Sequence, residues 1–455
     1  MFRIKILVIA FILTTLYANS QNQQFDRSTY YSFGVNLYAE AHALPDTSPD
    51  SVNILVLFKV SHDALVFIQA NPLENPGSFQ AVPSVEVFFR DDSGIIRNRT
   101  LWTDTIWAKN YDESKSKDIY VSGYVRTKLS KSEYTCTVQL LDRYRNPADK
   151  SEIKINAKKD FLTSSVISSP IFVYSTPKLS NYKSVPFILG NKINFTSSDA
   201  KILLPVSYIP RFNVYNYIIY KKFTDENNIW NDTINISGRV SPSDNSYLEI
   251  EENSEYPLLL NLKSGFRSVD STVAGINTGI LSIDLPSVQL SPGNYKLTLV
   301  ADGTQDTAKF DFEVVWVDMP LALRNPTYAI DAMYYILTDE EFKAMKSASD
   351  EDKPKKMMNY WKAKDPTKST PYNEVMNEYF KRVDYAFFNY QTLKEKDGSK
   401  TERGKIYILH SKPDSVDKAL VDGKQYEIWT YKKLGKVFHF ELVSNGLYIL
   451  TKIDE

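Results

Sequence analysis

Five charged residues in the C-terminal hundred, Glu378, Arg382, Arg403, Asp414 and Glu427, are the groups best suited to recognition chemistry in this chain. Glu378 and Arg382 stand four apart in a stretch of helical periodicity, so their side chains meet on one helix flank. Arg403 and Gly404 precede Lys405 to His410, an apolar run that reads as a strand. That placement directs the Arg403 guanidinium toward Asp414 or Glu427, and a bidentate guanidinium–carboxylate pair is strong. Three uses of such a set are open: an ion-pair lattice that pins a helix to a sheet, a polar pocket for a ligand or peptide carboxylate, or acid–base catalysis. Structural ion networks are commoner than sites, so the lattice is the expectation and the pocket is kept as the binding hypothesis.

Nucleophilic and metal chemistry have little to start from. The sequence has no GxSxG, no HExxH and no GxxxxGK[ST]. Of its four histidines, His42 and His62 fall in predicted turns, His410 ends a predicted strand and His439 lies within one. None has an evident partner network, which catalysis requires. The one cysteine, Cys136 in EYTCTVQLL, reads as a buried core thiol. A single cysteine excludes an intrachain disulfide and a cysteine-based zinc site. No catalytic residue, metal ligand or cofactor is assigned, and the chain is expected not to be an enzyme. The alternative is a hydrolase or carbohydrate-processing enzyme that uses carboxylates of the C-terminal module.

The elements that carry these residues change along the chain. Hydrophobic residues are 43% of 455 and charged residues 24%, enough to bury real cores. Lys+Arg is 54 and Asp+Glu is 55, a balance that argues against nucleic acid as a partner. Residues 1–20, MFRIKILVIAFILTTLYANS, have a basic start, an apolar run too short to span a membrane and small residues before Gln21. They read as a signal peptide cleaved near Ser20. From Tyr30 to Val317 short apolar runs such as SVNILVLFKV (51–60) and SVEVFF (84–89) alternate with polar punctuation, the pattern of antiparallel sandwiches. Leu129-Ser130…Tyr134 and Leu290-Ser291…Tyr295 each precede an alternating strand. They read as the same sandwich-closing turn used twice, with the tyrosine bonded back as a tyrosine corner.

After Trp316 helix formers dominate. Thr338 to Glu341 is a capping-box pattern, and KKMMNYWKA (355–363) is a second helical segment. Thr370 and Pro371 are placed to open a third helix, whose apolar face is Val375, Met376, Tyr379, Phe380, Val383 and Phe387. KQYEIWTY, KVFHFELV and GLYILTKI then read as strands, the last two joined by Ser444-Asn445-Gly446. The expected fold is mainly β with an α+β C-terminal part. Residues 21–175 and 176–317 are two immunoglobulin-like β-sandwich domains, 318–372 a helical connector and 373–455 a small helix-plus-antiparallel-sheet module.

Seven pieces between Tyr360 and Tyr431 occur in an order that resembles the GWxTD domain-containing protein family. They include Tyr360-Trp361, Asp365-Pro366-Thr367, Asn373-Glu374, Glu378 to Val383, Thr401 to Ile408, Pro413-Asp414 and Tyr426 to Tyr431. Gly398-Ser399-Lys400-Thr401-Glu402 stands where the name motif is expected, with Ser in the Trp position and Glu in the Asp position. His410-Ser411 replaces an aromatic-Gly-like step. The resemblance implies an exported bacterial envelope protein of a family without an established activity. The expected location is periplasmic or extracellular, and the expected partner is a protein or envelope component. No transmembrane span is expected in the mature chain.

Overall fold

The computed structural model describes residues 36–455, apart from 46, 47, 49, 72–76, 118, 142–146, 159, 160, 162–164, 177, 181, 196–199, 223–229, 231, 245, 253–257, 265–275, 287, 288, 305 and 306. The predicted signal peptide, 1–20, lies outside the described residues. The chain is mainly β, as expected, and among the described residues all α-helices but a short one at Tyr111–Ser114 lie beyond residue 325.

The first strands are β1 (Leu37–Leu44), β2 (Ser51–Ser61), β3 (Ile68–Gln69), β4 (Phe79–Ala81), β5 (Ser84–Asp91), β6 (Ile96–Thr103), β7 (Ile106–Ala108), β8 (Tyr120–Ser130), β9 (Glu133–Leu141) and β10 (Pro147–Asn156). A sheet β1-β2-β8 and a sheet β10-β9-β5-β6 enclose one core, and β3-β4-β7 form a small third sheet. Strand β2 is apolar almost throughout because both of its faces are covered. Ile54, Val56, Phe58 and Val60 enter the first core, while Leu55 and Leu57 enter a second core shared with later strands. Cys136 is buried in β9, as predicted.

The next strands are β11 (Val166–Ile167), β12 (Ile171–Tyr174), β13 (Lys183–Pro186), β14 (Lys192–Asn194), β15 (Ala200–Tyr208), β16 (Tyr215–Lys221), β17 (Asn235–Val240), β18 (Ser243–Asp244), β19 (Ser246–Glu251), β20 (Leu259–Ser264), β21 (Asn277–Leu285), β22 (Gly293–Ala301) and β23 (Thr307–Val315). One sheet runs β18-β21-β15-β12-β13-β20-β19 with β11 also on β15, and the other runs β14-β23-β22-β16-β17. Both repeated turns close the predicted bond. Tyr134 Oη donates to the Ser130 carbonyl at 3.0 Å, and Tyr295 Oη to the Ser291 carbonyl at 2.8 Å.

Among the described residues the α-helices are α1 (Tyr111–Ser114), α2 (Pro326–Ala332), α3 (Asp339–Lys346), α4 (Asp352–Lys364), α5 (Glu374–Asn389) and α6 (Glu402–His410). Thr338 and Glu341 form the predicted capping box on α3. Helix α5 opens later than Thr370 and Pro371 suggested. Asn373 caps it, accepting from Met376 N at 2.8 Å and donating to the Trp361 carbonyl at 2.7 Å. Five residues of its predicted apolar face are buried, and Val375 is exposed.

Residues 402–410 are a helix, not the predicted strand. A short apolar run does not distinguish the two, and here Thr401 decides. Its side chain accepts from Gly404 N at 3.1 Å, capping a helix that lays Ile406 and Tyr407 on the last sheet. That sheet runs β24 (Ser415–Val421), β25 (Lys424–Tyr431), β26 (Lys436–Leu442), β27 (Tyr448–Asp454). Asn445 in the β26–β27 turn has φ 65°, in keeping with its turn assignment. Two histidine placements change as well: His42 lies within β1 and His410 ends a helix. No helix among the described residues is long and apolar enough to cross a membrane.

One carboxylate of α5 holds the start of the connector. Asp384 accepts from Leu321 N at 2.6 Å and Ala322 N at 2.9 Å. Burial raises its pKa to about 6, outweighing those two bonds and the Arg324 charge. The folded chain therefore holds a proton that the unfolded chain releases above about pH 4. The resulting stability is complete at lower pH and is lost as pH rises through about 6. Asp384→Asn should remove ~2–3 kcal/mol of this pH dependence, read as urea unfolding free energies of the two proteins across that window.

Candidate functional site

The five predicted residues lie in the C-terminal module but do not form one cluster. Arg382 Nε donates to Glu378 Oε1 at 2.7 Å along α5, a largely exposed i,i+4 pair. Asp414 sits in the turn before β24, where its carboxylate accepts from Lys432 N at 2.7 Å. Arg403 and Glu427 meet in the interior, between α6 and β25. Arg403 Nη1 lies 3.3 Å from both Glu427 oxygens, one nitrogen bridging two acceptors rather than the expected two-pronged pair. Glu427 Oε1 also accepts from Trp429 Nε1 at 2.7 Å.

Aromatic rings close over this pair. The guanidinium lies 3.9 Å from the Tyr448 ring centroid and 5.2 Å from that of Tyr390. Trp429 packs on Phe440 and Tyr390. Glu427 is needed here because it is the carboxylate that satisfies both Arg403 and the buried indole N–H. The alternation of β25 puts Glu427, Trp429 and Tyr431 on the covered face, against α6.

The segment at the name-motif position is a backbone knot. Asp397 Oδ1 accepts from Ser399 N at 3.0 Å, from Ser399 Oγ at 2.5 Å and from Tyr328 Oη at 3.1 Å. Tyr335 Oη donates to the Ser399 carbonyl at 3.0 Å. Glu402 accepts from Leu450 N, tying α6 to β27. These groups are engaged with one another, an arrangement that fixes a chain path and offers no free nucleophile–base pair.

Two features went unread in the sequence. A cleft of about 200 Å³ in the second sandwich is lined by Asn191, Lys192, Lys222, Asn294, Asp311 and Glu313. Its charges are already paired, Lys222 with Asp311 and Lys192 with Glu313, both at 2.8 Å. The other feature is Ser411, with φ 71° and ψ −161°, a region nearly restricted to glycine. The sequence did carry a signal for it, the serine in the place of an expected glycine. Among the described residues no group of three or more His, Cys, Asp and Glu is arranged to hold a metal ion.

Residues 295–448 match the family model of the GWxTD domain. The matched region begins in strand β22 of the second sandwich and runs into β27. No curated protein matches the chain. Among solved structures, the C-terminal domain of the Streptococcus pyogenes antigen I/II-family protein AspA is 10% identical. That alignment covers 61% of this chain and 100% of the other at a TM-score of 0.16. The C-terminal domain of the Streptococcus agalactiae AgI/II polypeptide BspA is 8% identical, covering 61% and 99% at 0.14. A family 123 glycoside hydrolase from Clostridium perfringens is 18% identical, covering 34% and 29% at 0.14. At these scores none of the three bears on the fold or role of this chain.

The two ion pairs should differ sharply in weight. Glu427→Ala leaves a buried guanidinium and an indole N–H without their acceptor and should cost about 3 kcal/mol. Glu378→Ala, at an exposed pair, should cost less than about 0.5 kcal/mol. Ser411→Gly should stabilise the fold by about 1 kcal/mol by relieving the positive φ. Urea unfolding of the three variants beside the parent chain measures all of these values.

Proposed function

We propose that this chain is an exported, non-catalytic protein-binding or assembly component of a bacterial envelope, acting in the periplasm or outside the cell. The observation that carries the reading is an uncovered apolar sheet face in the first sandwich. In the small sheet, Ile68 pairs with Gln80 and Gln80 with Trp107, so the three side chains share one face. Val66 lies two residues before β3, and Val82 directly follows β4. Val66, Ile68, Val82 and Trp107 are 57%, 56%, 59% and 47% exposed. Exposed apolar side chains grouped on one small sheet, here around Gln80, mark interaction sites, and an exposed tryptophan at the edge is a typical interface anchor.

The engagement of the C-terminal carboxylates supports the same reading over the hydrolase alternative. Glu427 and Asp397 are buried and fully engaged, and Asp414 caps a turn. Neither pair of predicted charges converges on an open carboxylate dyad of the sort glycoside hydrolysis uses.

A photoreactive residue placed at position 68 or 107 in the native cells should give a discrete adduct with one envelope protein. The same residue at Leu420, exposed on β24, should not give that adduct. Absence of any discrete adduct from both positions of the apolar face would sink the proposal.

A further inference from the structure

We infer that the C-terminal module binds a small oxyanion, a phosphate or carboxylate group, between His410 and Ser411 at the end of α6, Arg382 of α5 and Lys436 of β26. The inference is independent of the apolar face above. It starts from donors that are fixed in place but unused. The His410 ring stacks on Phe438 at 5.6 Å and 28°, with Tyr431 edge-on at 5.8 Å. Two aromatic rings therefore hold the imidazole, yet no ring nitrogen of His410 makes a hydrogen bond among the described residues.

The following residue is the strained one. Ser411 N donates to the Tyr407 carbonyl at 2.7 Å, and its own carbonyl accepts from Tyr431 Oη at 2.8 Å. These bonds hold φ at 71°, while the Ser411 hydroxyl has no partner among the described residues. Strain of this type, held by the surrounding structure, gathers at ligand clamps.

Two cations converge on the same end of the sheet. Lys436 is directly opposite Tyr431 in the β25–β26 ladder, which puts it on the face that carries Tyr431 and Phe438. Its carboxylate contact is a loose 3.9 Å to the exposed Glu455. Arg382 stands three residues before Tyr385 on α5, whose ring stacks on Tyr407 of α6 at 4.3 Å and 15°, and this packing brings the guanidinium to the C-terminal half of α6. Only its Nε is engaged, by Glu378. The terminal nitrogens have no hydrogen-bond partner among the described residues.

The carboxylates that face this place are Glu378, which holds Arg382, Asp414, which is taken up by Lys432 N, and the exposed Glu455 beside Lys436. Burial, then Lys436, then Arg382 hold the His410 imidazole below its ordinary pKa. An anion seated among these groups would offset the repulsion between the cations and a protonated imidazole, so anion binding and His410 protonation are linked.

The test uses the chain from residue 21 onward with labelled histidine, followed by NMR while pH is varied. The His410→Gln variant identifies the resonance. Inorganic phosphate and acetate are added separately at constant ionic strength. The expected result is a rise of ~0.5 unit or more in the His410 midpoint, about a threefold gain in proton affinity. A rise with phosphate alone assigns a phosphate group, and a rise with both assigns a carboxylate-tolerant site open to a peptide C-terminus. The double variant Arg382→Gln, Lys436→Gln should abolish the rise, with the other three histidine signals unchanged as the check on folding. A midpoint unmoved by either anion overturns the inference. So does an equal rise in a folded double variant, and if that variant does not fold, the parent chain's titration alone decides.

Discussion

Two charged residues of the first sandwich, Glu40 and Lys59, grip one loop of the second. Glu40 Oε1 accepts from Leu189 N at 2.9 Å and Gly190 N at 3.0 Å. Its other oxygen lies 3.3 Å from His42 Nε2, and His42 Nδ1 is 2.9 Å from Ser169 Oγ. Lys59 Nζ donates to the Phe187 carbonyl at 2.8 Å from between the rings of Tyr38 and Tyr120. Burial pushes that ammonium down to about 8, and Glu40 opposes the shift. The loop they hold carries positive φ at Ile188, Gly190 and Asn191. A β-branched residue at φ 49° persists only where its surroundings over-determine it. Leu55 and Leu57 pack beside the loop, so the contact is both charged and dry.

From that loop the constraint passes onward. Asn191 leads into β14, which runs parallel to β23, and Phe195 at its end meets Trp316 at 5.4 Å and Tyr372 at 5.2 Å. One hydrophobic core then extends from Phe172 through the connector to Ile408. This continuity explains why the GWxTD match starts at residue 295 and not at the first helix. Strands β22 and β23 supply Tyr295, Leu297, Phe312 and Val314 to the same core that Phe380 and Val383 of α5 complete. The last two sandwich strands and the helices are thus parts of one packed unit.

The legibility of each part tracks the range of the interaction that decides it. Tyrosine corners, the capping box of α3 and the Asn445-Gly446 turn are settled within a few residues, and all were readable. Helix α6 was not, because KIYILH has the composition of a strand and its helical state depends on Thr401 and on a close contact outside the run. The start of α5 moved because Asn373 finds a buried carbonyl twelve residues back, at Trp361. In the candidate site, the Glu378–Arg382 pair was legible from spacing, while the partner of Arg403 was left open between Asp414 and Glu427 because 405–410 read as a strand. The split into one exposed and one buried pair was not, since it depends on Tyr390 and Tyr448 closing over Arg403. The unused donors around His410 depend on strand register and a backbone angle, neither of which the sequence prints.

The changed name motif shows which of its positions are geometric. A Cβ on Gly398 would lie 2.2 Å from the Ala386 carbonyl oxygen, and one on Gly404 2.0 Å from the Gly398 carbonyl oxygen. Both glycines are therefore required by backbone contact with α5 and with each other. Thr401 is required as the cap of α6. Position 399 is different: its serine is buried, but what it contributes is hydrogen bonding, to Asp397 and Tyr328. Tyr328 and Tyr335 bring aromatic bulk to this turn from the connector, and their hydroxyls fix Ser399 from both sides. Glu402, one methylene longer than aspartate, reaches Leu450 N across the gap to β27. The turn thus keeps its backbone path through Gly398, Thr401 and Gly404 while the two changed side chains make bonds of their own. The motif in this chain is a device for seating α6 against the sheet, and α6 in turn sets both the buried Arg403 and the strained step at Ser411.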